Sequence, residues 1–439
     1  MSIASVEYAA RRRELMARIG RQAVAIIAAP GEVTRNNDVH YPYRPASDFR
    51  YLTGFCEPDA VAVLAPGRED GEFLLFCRPR DAEREIWDGL RAGPDGAREQ
   101  YGANESDVTD AFVRALPELL AGREQVYFDL GADAARDKQL LEALGGLRQQ
   151  ARRGASAPAA ICSLAEPLHH MRLFKSDGEL ALMREAGRVS AAAHARAMRA
   201  CRPGMNEFAL AAELHHEFER HGMSWAYPSI VGGGGNACIL HYIENAAALR
   251  DGDLVLIDAG AEHAGYAADI TRTFPVNGEF SGPQRAVYEV VLAAQQAAVA
   301  ACQPGNDYQA PHRAAVKQLT EGLVSLGMLR GEVSELVEAE AYRPFYMHGT
   351  GHWLGMDVHD VGDYKIDGEW RLLEPGMTLT IEPGLYFRAG NADVDERYWD
   401  IGVRIEDDIH ITADGPENLT DAVPKAVDEI QALMADRRA

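Results

Sequence analysis

The sequence contains no long apolar run and no excess of positive charge. Its longest uninterrupted apolar run, Ala23–Ala29, is far shorter than the roughly 20 residues of a membrane-spanning helix. Lys and Arg number 44 against 67 Asp and Glu, so the formal net charge is −23. Because nucleic acids and anionic membranes are polyanions, this balance argues against both as partners. We therefore expect a protein that binds neither nucleic acid nor membrane.

Cysteines are few and widely spaced. The chain has six, and the sequence contains no C-x-x-C pair. Disulfide frameworks and zinc ribbons place their cysteines at short, regular spacings, so neither is indicated. Scattered cysteines that act as small apolar residues are typical of a reducing compartment, and we expect a cytoplasmic protein.

The first third of the chain alternates strand-like and helix-like segments. Strands are predicted at Ala60–Leu64, Phe73–Phe76 and Gln125–Leu130, and helices at Ser106–Leu120 and Ala132–Leu144. This alternation favours a layered α/β domain.

A domain boundary is predicted near residue 170. The stretch Arg152–Ala160 is rich in Arg, Gly, Ser, Pro and Ala, a composition typical of a linker. Ser176 and Glu179 then form an S-x-x-E capping box, which predicts a helix that runs to about Ala200. We assign residues 1–170 to an N-terminal domain and residues 171–439 to a C-terminal domain.

The second part of the chain contains an internal repeat. Ala200–Gly204 (ACRPG) recurs as Ala301–Gly305 (ACQPG), each time after an Ala-rich segment. Further on, Gly252–Gly260 resembles Gly376–Gly384, and both read G-x-x-(apolar)-x-I-(acid)-x-G. Two matching pairs in the same order favour a duplicated domain.

Each repeat supplies two carboxylates on or beside predicted strands: Asp258 and Asp269 in the first, Glu382 and Glu406 in the second. Four buried carboxylates are costly without compensation. Two divalent cations would balance their charge. From the residues alone, surface roles stay open, with Asp258 as a solvated turn carboxylate and Glu406–Asp408 as an exposed acidic run.

One imidazole completes the expected ligand set, and a Gly-rich segment offers His348, His352 and His359. Oxygen ligands with a single histidine favour Mn²⁺, Co²⁺ or Fe²⁺ over a thiolate-type zinc site. Two such ions share a bridging hydroxide and polarise a carbonyl or phosphoryl group. Hydrolysis of a peptide or of a phosphoester therefore fits this pattern.

At this point the second part resembles the pita-bread metallopeptidases, and the whole chain resembles the aminopeptidase P family. The segment Arg35–Asp59 is similar to that family's N-terminal domain. The family's five metal ligands fall on Asp258 in LVLIDAG, Asp269 in YAADITRTF, His352 in HGTGHWLG, Glu382 in TIEPGLY and Glu406 in VRIEDD. The resemblance implies an α/β N-terminal domain and a duplicated pita-bread domain, in which helices cover a curved, mostly antiparallel sheet.

The resemblance also implies the reaction. A hydroxide that bridges two divalent ions, most often Mn²⁺ with Co²⁺ or Zn²⁺ as alternatives, attacks the carbonyl before proline and releases the first residue of the peptide. Glu382 is then the general base. His359 stabilises the oxyanion, and His241 and His348 position the substrate.

Three further residues have two possible roles each. Arg404 either pairs with Asp258 and tunes it or forms a structural salt bridge. Tyr386 either lines the proline pocket or is an ordinary buried tyrosine. Trp87 either narrows the cleft of a neighbouring subunit or packs in a core.

Family precedent implies a homo-oligomer, a dimer or a tetramer, that acts on peptides with proline in the second position. A prolidase, which cleaves Xaa-Pro dipeptides, shares the same site and is the main alternative. A two-metal phosphoesterase and a metal-free peptide-binding protein are the remaining ones.

Overall fold

The computed structural model describes residues 2–392 and 394–436. Its contacts divide the chain into two compact units, one of Ile3–Arg172 and one that begins at Leu173. The sequence places the domain boundary after residue 170. Each unit has a separate hydrophobic core.

The N-terminal unit is a layered α/β domain around a mixed sheet. Its elements are α1 (Ser5–Ile19), β1 (Ala23–Ala28), β2 (Thr34–Asn36), β3 (Val39–His40), α2 (Ser47–Thr53), β4 (Val61–Leu64), β5 (Phe73–Cys77), α3 (Ala82–Asp88), α4 (Gly93–Glu99), β6 (Glu105–Val108), α5 (Phe112–Leu120), β7 (Gln125–Phe128), α6 (Ala134–Gln149), β8 (Ala160–Cys162) and α7 (Ala165–Leu173). The strand order is β6-β5-β4-β1-β7-β8. Strand β1 pairs antiparallel with β4 and parallel with β7, so its apolar side chains are buried.

Two sequence predictions in this unit are wrong. Ser106–Leu120 is not one helix, because Glu105–Val108 pairs in parallel with β5 as an edge strand and α5 begins only at Phe112. Arg152–Ala160 is not an interdomain linker, since Ala160 begins β8, which pairs with β7 inside the unit. In both segments, pairing with a distant strand overrides the local composition.

The C-terminal unit combines long helices with short antiparallel sheets. Its elements are α8 (Asp177–Ala200), α9 (Glu207–Arg220), β9 (Ser224–Trp225), β10 (Ile230–Gly233), β11 (Leu254–Asp258), β12 (Ala261–His263), β13 (Tyr266–Ala267), β14 (Thr271–Pro275), α10 (Gly282–Ala300), α11 (Ala310–Ser325), α12 (Val333–Glu338), β15 (Lys365–Ile366), β16 (Glu369–Trp370), β17 (Thr378–Ile381), β18 (Gly384–Phe387), β19 (Ile401–Arg404), β20 (Asp407–Thr412), β21 (Gly415–Asn418) and α13 (Val427–Ala435). Among the helices of the described residues, none is long and apolar enough to cross a membrane.

The predicted helix after the capping box is confirmed. The Ser176 side chain accepts a hydrogen bond from the Glu179 backbone, the Glu179 side chain accepts one from the Ser176 backbone, and α8 runs to Ala200. Ser281 and Gln284 form the same reciprocal pair at the start of α10. Each box satisfies backbone donors that the first helical turn leaves free.

The two halves of this unit repeat one arrangement. Helices α8 and α9 precede the antiparallel sheet β10-β11-β14, and helices α10 and α11 precede the antiparallel sheet β17-β20-β21. This order agrees with the internal repeat in the sequence, and the predicted fold class is confirmed.

Two of the four carboxylates lie at breaks between strands rather than on the strands expected from the sequence. Asp258 ends β11 and Glu382 follows β17 directly, as predicted, but Asp269 precedes β14 and Glu406 lies between β19 and β20. At the break between β19 and β20, the Glu406 backbone N–H donates to the Thr271 carbonyl of β14 at 3.0 Å.

Candidate metal centre

An open cavity of about 370 Å³ in the C-terminal unit brings together every predicted site residue except Tyr386 and Trp87. The predicted residues that line it are His241, Asp258, Asp269, His348, His352, His359, Glu382, Arg404 and Glu406. These side chains come from both halves of the duplicated domain and from loops that lie more than 100 residues apart in sequence. The fold therefore assembles one polar site from distant segments.

Asp269, His352 and Glu406 form one group of possible metal ligands in the cavity. One potential ligand atom from each lies within 4.8 Å of the others. His352 Nε2 is 3.4 Å from Asp269 Oδ2 and 3.8 Å from Glu382 Oε1. Asp258 and Glu382 line the same cavity beside this group.

The His352 ring is oriented for ligation through Nε2. Its Nδ1 lies 3.0 Å from the Trp353 carbonyl oxygen, which only accepts, so Nδ1 carries a proton and donates it. The Nε2 nitrogen then faces Asp269 and Glu382. A backbone carbonyl that fixes the ring of a histidine in this way is a common support for metal-ligating histidines.

The charge balance of the cavity fits divalent cations. Burial raises the pKa of Glu382 to about 7, and it also raises the pKa values of Asp258 and Glu406. Among the residues that the structure describes, Arg404 is the one guanidinium or ammonium group in this lining. One guanidinium does not balance four carboxylates, and oxygen donors with one imidazole suit hard or borderline divalent ions.

Arg404 makes the predicted contact with Asp258. Its Nη2 donates to Asp258 Oδ2 at 2.6 Å, its Nε to Thr271 Oγ1 at 3.1 Å, and its Nη1 to the Tyr386 hydroxyl at 3.2 Å. Thr271 Oγ1 in turn donates to Glu406 Oε2 at 2.7 Å. Arg404 thus fixes one carboxylate directly and a second through Thr271.

Tyr227 is a site residue that the sequence analysis did not identify. Its hydroxyl lies 2.7 Å from Asp258 Oδ1 and also contacts Asp269 Oδ1. Burial and these carboxylates raise its pKa well above the usual value, so the phenol stays protonated. The phenol has one proton, so its hydroxyl donates to only one of these two carboxylate oxygens at a time. No spacing in the sequence distinguishes Tyr227 from the other tyrosines.

The comparisons with known proteins agree with this donor set. Residues 181–413 match metallopeptidase family M24, and residues 8–127 match the N-terminal domain of aminopeptidase P. The chain belongs to the M24 metallopeptidase family. The family and the enzyme class predicted from the sequence are confirmed: this M24 chain is a metallopeptidase, and its fold implies a divalent metal.

Relatives match this M24 chain along its whole length. Xaa-Pro aminopeptidase of Escherichia coli (strain K12) is 48% identical over 438 residues, which are 99% of each chain. Homo sapiens Xaa-Pro aminopeptidase 3 is 33% identical over 98% of this chain and 86% of its own. Among solved structures, Pseudomonas aeruginosa aminopeptidase PepP has a TM-score of 0.98 at 53% identity and covers 100% of this chain and 99% of its own. Escherichia coli aminopeptidase P in complex with substrate has a TM-score of 0.96 at 48% identity, with 100% of both chains covered.

Tyr386 does not line the cavity of this M24 metallopeptidase, which corrects one expectation. It is buried, and its hydroxyl donates to His348 Nε2 at 2.8 Å. His348 Nδ1 faces the Gly349 carbonyl at 2.7 Å, so both ring nitrogens are engaged within the protein. Burial lowers the pKa of His348 to about 3, and the ring is neutral. Tyr386 therefore supports His348 and Arg404 from behind.

The remaining histidines lie at the edge of the cavity. His241 and His359 are both exposed. The His359 ring centroid is 4.2 Å from that of His352, with the planes at 70°. Burial, and then the neighbouring His352, lower the pKa of His359. This placement leaves both rings open to a bound ligand.

Trp87 lies in the N-terminal unit of this M24 chain, on α3. Its side chain is 84% exposed, and the neighbouring Ile86 and Leu90 are 81% and 84% exposed. The core-packing alternative for Trp87 is therefore wrong. Three large apolar side chains on the surface of one short segment form an apolar patch.

Proposed function

We propose that this chain is a Xaa-Pro aminopeptidase, which releases the first residue from peptides whose second residue is proline. The observation that carries the proposal is the gathering of four carboxylates and His352 in one open cavity. High identity to relatives with that name, along the whole chain, supports the same substrate class. We also propose residues 1–170 and 171–439 as the two functional domains.

Two divalent ions are the proposed cofactor. Mn²⁺ is the first choice, and Co²⁺ and Zn²⁺ are the alternatives. Their proposed ligands are Asp258, Asp269, His352, Glu382 and Glu406, and the excess of carboxylate oxygen over nitrogen supports Mn²⁺. Ions bound there would lower the pKa of a water molecule and act as Lewis acids on a peptide carbonyl.

The proposed proton carrier is Glu382. Its side chain is 18% exposed, against 12% for the Asp258 side chain and 8% for the Asp269 side chain, and Glu406 as a whole residue is 2% exposed. Glu382 is thus the carboxylate most open to a molecule in the cavity, and a general base needs that access.

The accessory histidines have distinct proposed tasks. His359, open and adjacent to His352, donates to the developing negative charge of the scissile carbonyl. His241 contacts the bound peptide from the cavity edge. His348, which is held by the Tyr386 hydroxyl, presents its ring to the substrate. The fixed nitrogens of His348 support a positioning task rather than proton transfer.

The preference for proline has a physical basis in the cavity wall. A prolyl nitrogen carries no N–H in the peptide, so a pocket that demanded this donor would reject it. The apolar part of the cavity wall includes Ile230, Leu240, Ile243 and Val358. Apolar side chains suit a compact aliphatic ring, and they require no N–H donor from the substrate.

We further propose that copies of this chain associate as a dimer or tetramer through the apolar patch Ile86, Trp87 and Leu90. Trp87 then narrows the cleft of a neighbouring subunit. Trp87→Ala should lower the assembled fraction in sedimentation experiments, and an unchanged distribution would argue against this role.

The net charge of −23 supports the absence of nucleic-acid and membrane partners. Six free cysteines support a cytoplasmic location.

The decisive experiment compares an Xaa-Pro-Xaa tripeptide with the matching Xaa-Pro dipeptide, with Mn²⁺ and with a chelator. Asp269→Ala removes a proposed ligand, and Asp414→Ala changes an exposed acid as the matched control. We expect metal-dependent release of the first residue from the tripeptide, lost only in Asp269→Ala.

Other outcomes assign the alternatives. Cleavage of the dipeptide alone identifies a prolidase. No cleavage of either peptide with metal bound directs the test to phosphoesters. Protein that binds no added metal would indicate a metal-free peptide-binding function.

A further inference from the structure

We propose that Glu207, a buried carboxylate outside the metal centre, positions the cavity wall that carries His241. Glu207 is the first residue of α9 and is 0% exposed. It is not a member of the cavity lining. Its effect on substrate rests on the proposed function, whereas its effect on the wall does not.

Four neutral donors surround the Glu207 carboxylate. Oε1 accepts from Gly233 N at 2.8 Å and Asn236 Nδ2 at 2.9 Å. Oε2 accepts from the Tyr242 hydroxyl and Ala247 N, both at 2.8 Å. A buried carboxylate with four donors and no ion pair among the described residues acts as a hydrogen-bonding hub.

These four donors span one segment of the chain, residues 233–247. Two lie at its beginning, one in the middle and one at its end. The same segment places Leu240, His241 and Ile243 in the cavity wall. The Glu207 backbone N–H also donates to the Ala247 carbonyl at 2.9 Å. One residue thus joins both ends of the segment and its centre.

The position of His241 depends on this backbone. Within residues 2–392 and 394–436, the His241 ring has no hydrogen-bond partner, and the residue is exposed. The next residue, Tyr242, is buried and is tied to Glu207. Movement of the segment would therefore carry the His241 ring away from its place at the cavity edge.

Glu207→Gln tests this role without changing side-chain volume. Each carboxylate oxygen accepts from one backbone N–H, Gly233 on one side and Ala247 on the other. A backbone N–H cannot become an acceptor. A glutamine has only one acceptor oxygen, so in either orientation its amide N–H₂ opposes one backbone N–H. One end of the segment must loosen.

The matched control is Glu179→Gln. Glu179 is also buried, accepts from the Tyr266 hydroxyl at 2.9 Å and from Ser176 N at 2.9 Å, and lies outside the cavity lining. For Glu207→Gln we expect faster amide hydrogen exchange in residues 233–247. KM for an Xaa-Pro-Xaa tripeptide should rise about tenfold, the effect of roughly one lost hydrogen bond. Bound metal and kcat should match the wild type, and Glu179→Gln should show none of these changes.

A double-mutant cycle tests whether Glu207 acts through His241. In the His241→Ala background, Glu207→Gln should change KM by less than about twofold, because the positioned ring is gone. If Glu207→Gln does not fold, Tyr242→Phe takes its place, because it removes one donor to Glu207 and preserves packing. Tyr242→Phe should raise KM by about threefold.

Three outcomes would overturn the proposal. The first is an equal rise of KM in both backgrounds, the second is a joint loss of kcat and bound metal, and the third is unchanged exchange in residues 233–247. If the wild type cleaves no Xaa-Pro peptide, the proposed function fails separately. Hydrogen exchange then decides alone whether Glu207 holds the segment.

Discussion

The ion pair of Lys175 and Asp360 offers a sharp test of how this fold supports the segment that carries His359. Lys175 Nζ lies 3.0 Å from Asp360 Oδ2, and each side chain is 1% exposed. Lys175 directly precedes the N-cap of α8, and Asp360 directly follows His359. The pair therefore ties the start of the C-terminal unit to the segment that carries an accessory histidine.

Asp360→Asn removes the charge of one partner and nearly preserves its shape. It leaves the Lys175 ammonium buried without its counter-ion, and breaking one side of a buried pair costs about 3–5 kcal/mol. The unit begins at Leu173, and the described chain runs to residue 436. With an unfolding entropy of about 2.1 cal/mol/K per residue, this cost lowers Tm by about 5–9 °C.

The assay is thermal unfolding of full-length protein followed by circular dichroism, with kcat for an Xaa-Pro-Xaa tripeptide measured at 25 °C. The double variant, with Lys175→Met added to Asp360→Asn, no longer contains the buried unpaired ammonium. It should recover at least half of the decrease in Tm that Asp360→Asn causes. Glu321→Gln, in the exposed pair with Lys317, should change the free energy of unfolding by at most about 1 kcal/mol. If the double variant is no more stable than Asp360→Asn, the buried ammonium is not the source of the loss and the reasoning is refuted.

Three further predictions concern other parts of the structure. Tyr227→Phe removes the hydroxyl shared by two proposed ligands and should weaken metal binding about 10–100-fold in equilibrium dialysis, whereas unchanged affinity would exclude a supporting role. Gly351→Ala places a methyl carbon 1.9 Å from a backbone oxygen of β17 and should lower both Tm and bound metal, unlike a substitution in open space. Burial acts to raise the pKa of Asp48, but the hydrogen bond with His169 and the charge and hydrogen bond of Arg172 outweigh burial, so the pKa is lowered. Its stabilisation is thus present above the unfolded value of about 3.9 and lost as pH falls through the lower folded pKa, so urea unfolding should show the wild type and Asp48→Asn converging towards pH 3.

Local signals in the sequence were sufficient for elements that depend on neighbouring residues. The capping box of Ser176 and Glu179 predicted α8 from its first turn to Ala200, since the donors it satisfies lie within one turn. The apolar run before Asp258 predicted β11 and its end. The family resemblance, carried by short motifs around the acids, predicted which side chains share the cavity.

Contacts between distant segments had no such signal. Tyr227 contacts Asp258 and Asp269 across 31 and 42 residues. The strand pairing that overrode the predicted helix at Ser106 joins it to Leu75, also about 30 residues away. Composition and periodicity describe one segment at a time, so they carry no information on which segment pairs with which.

The acidic run Glu406–Asp408 illustrates, within three residues, that composition does not predict contacts between distant segments. An exposed run was one expectation, yet all three side chains are buried, and neighbouring residues face different partners, as alternation along an extended chain requires. Glu406 faces the cavity, Asp407 receives Arg272 and Lys425 at 2.6 and 2.5 Å, and Asp408 accepts the Asp269 backbone N–H at 3.1 Å. Each acid is stabilised by a different, distant partner.

These partners also explain why the site needs both halves of the duplicated domain. Arg272 from the first half donates to the Glu406 carbonyl at 2.6 Å, and Arg404 from the second half donates to Asp258 at 2.6 Å. Asp408 from the second half holds the backbone of Asp269 in the first. Each half therefore positions carboxylates that the other half contributes. Because the buried charges of one half are compensated by the other, neither half alone would hold four carboxylates in this arrangement.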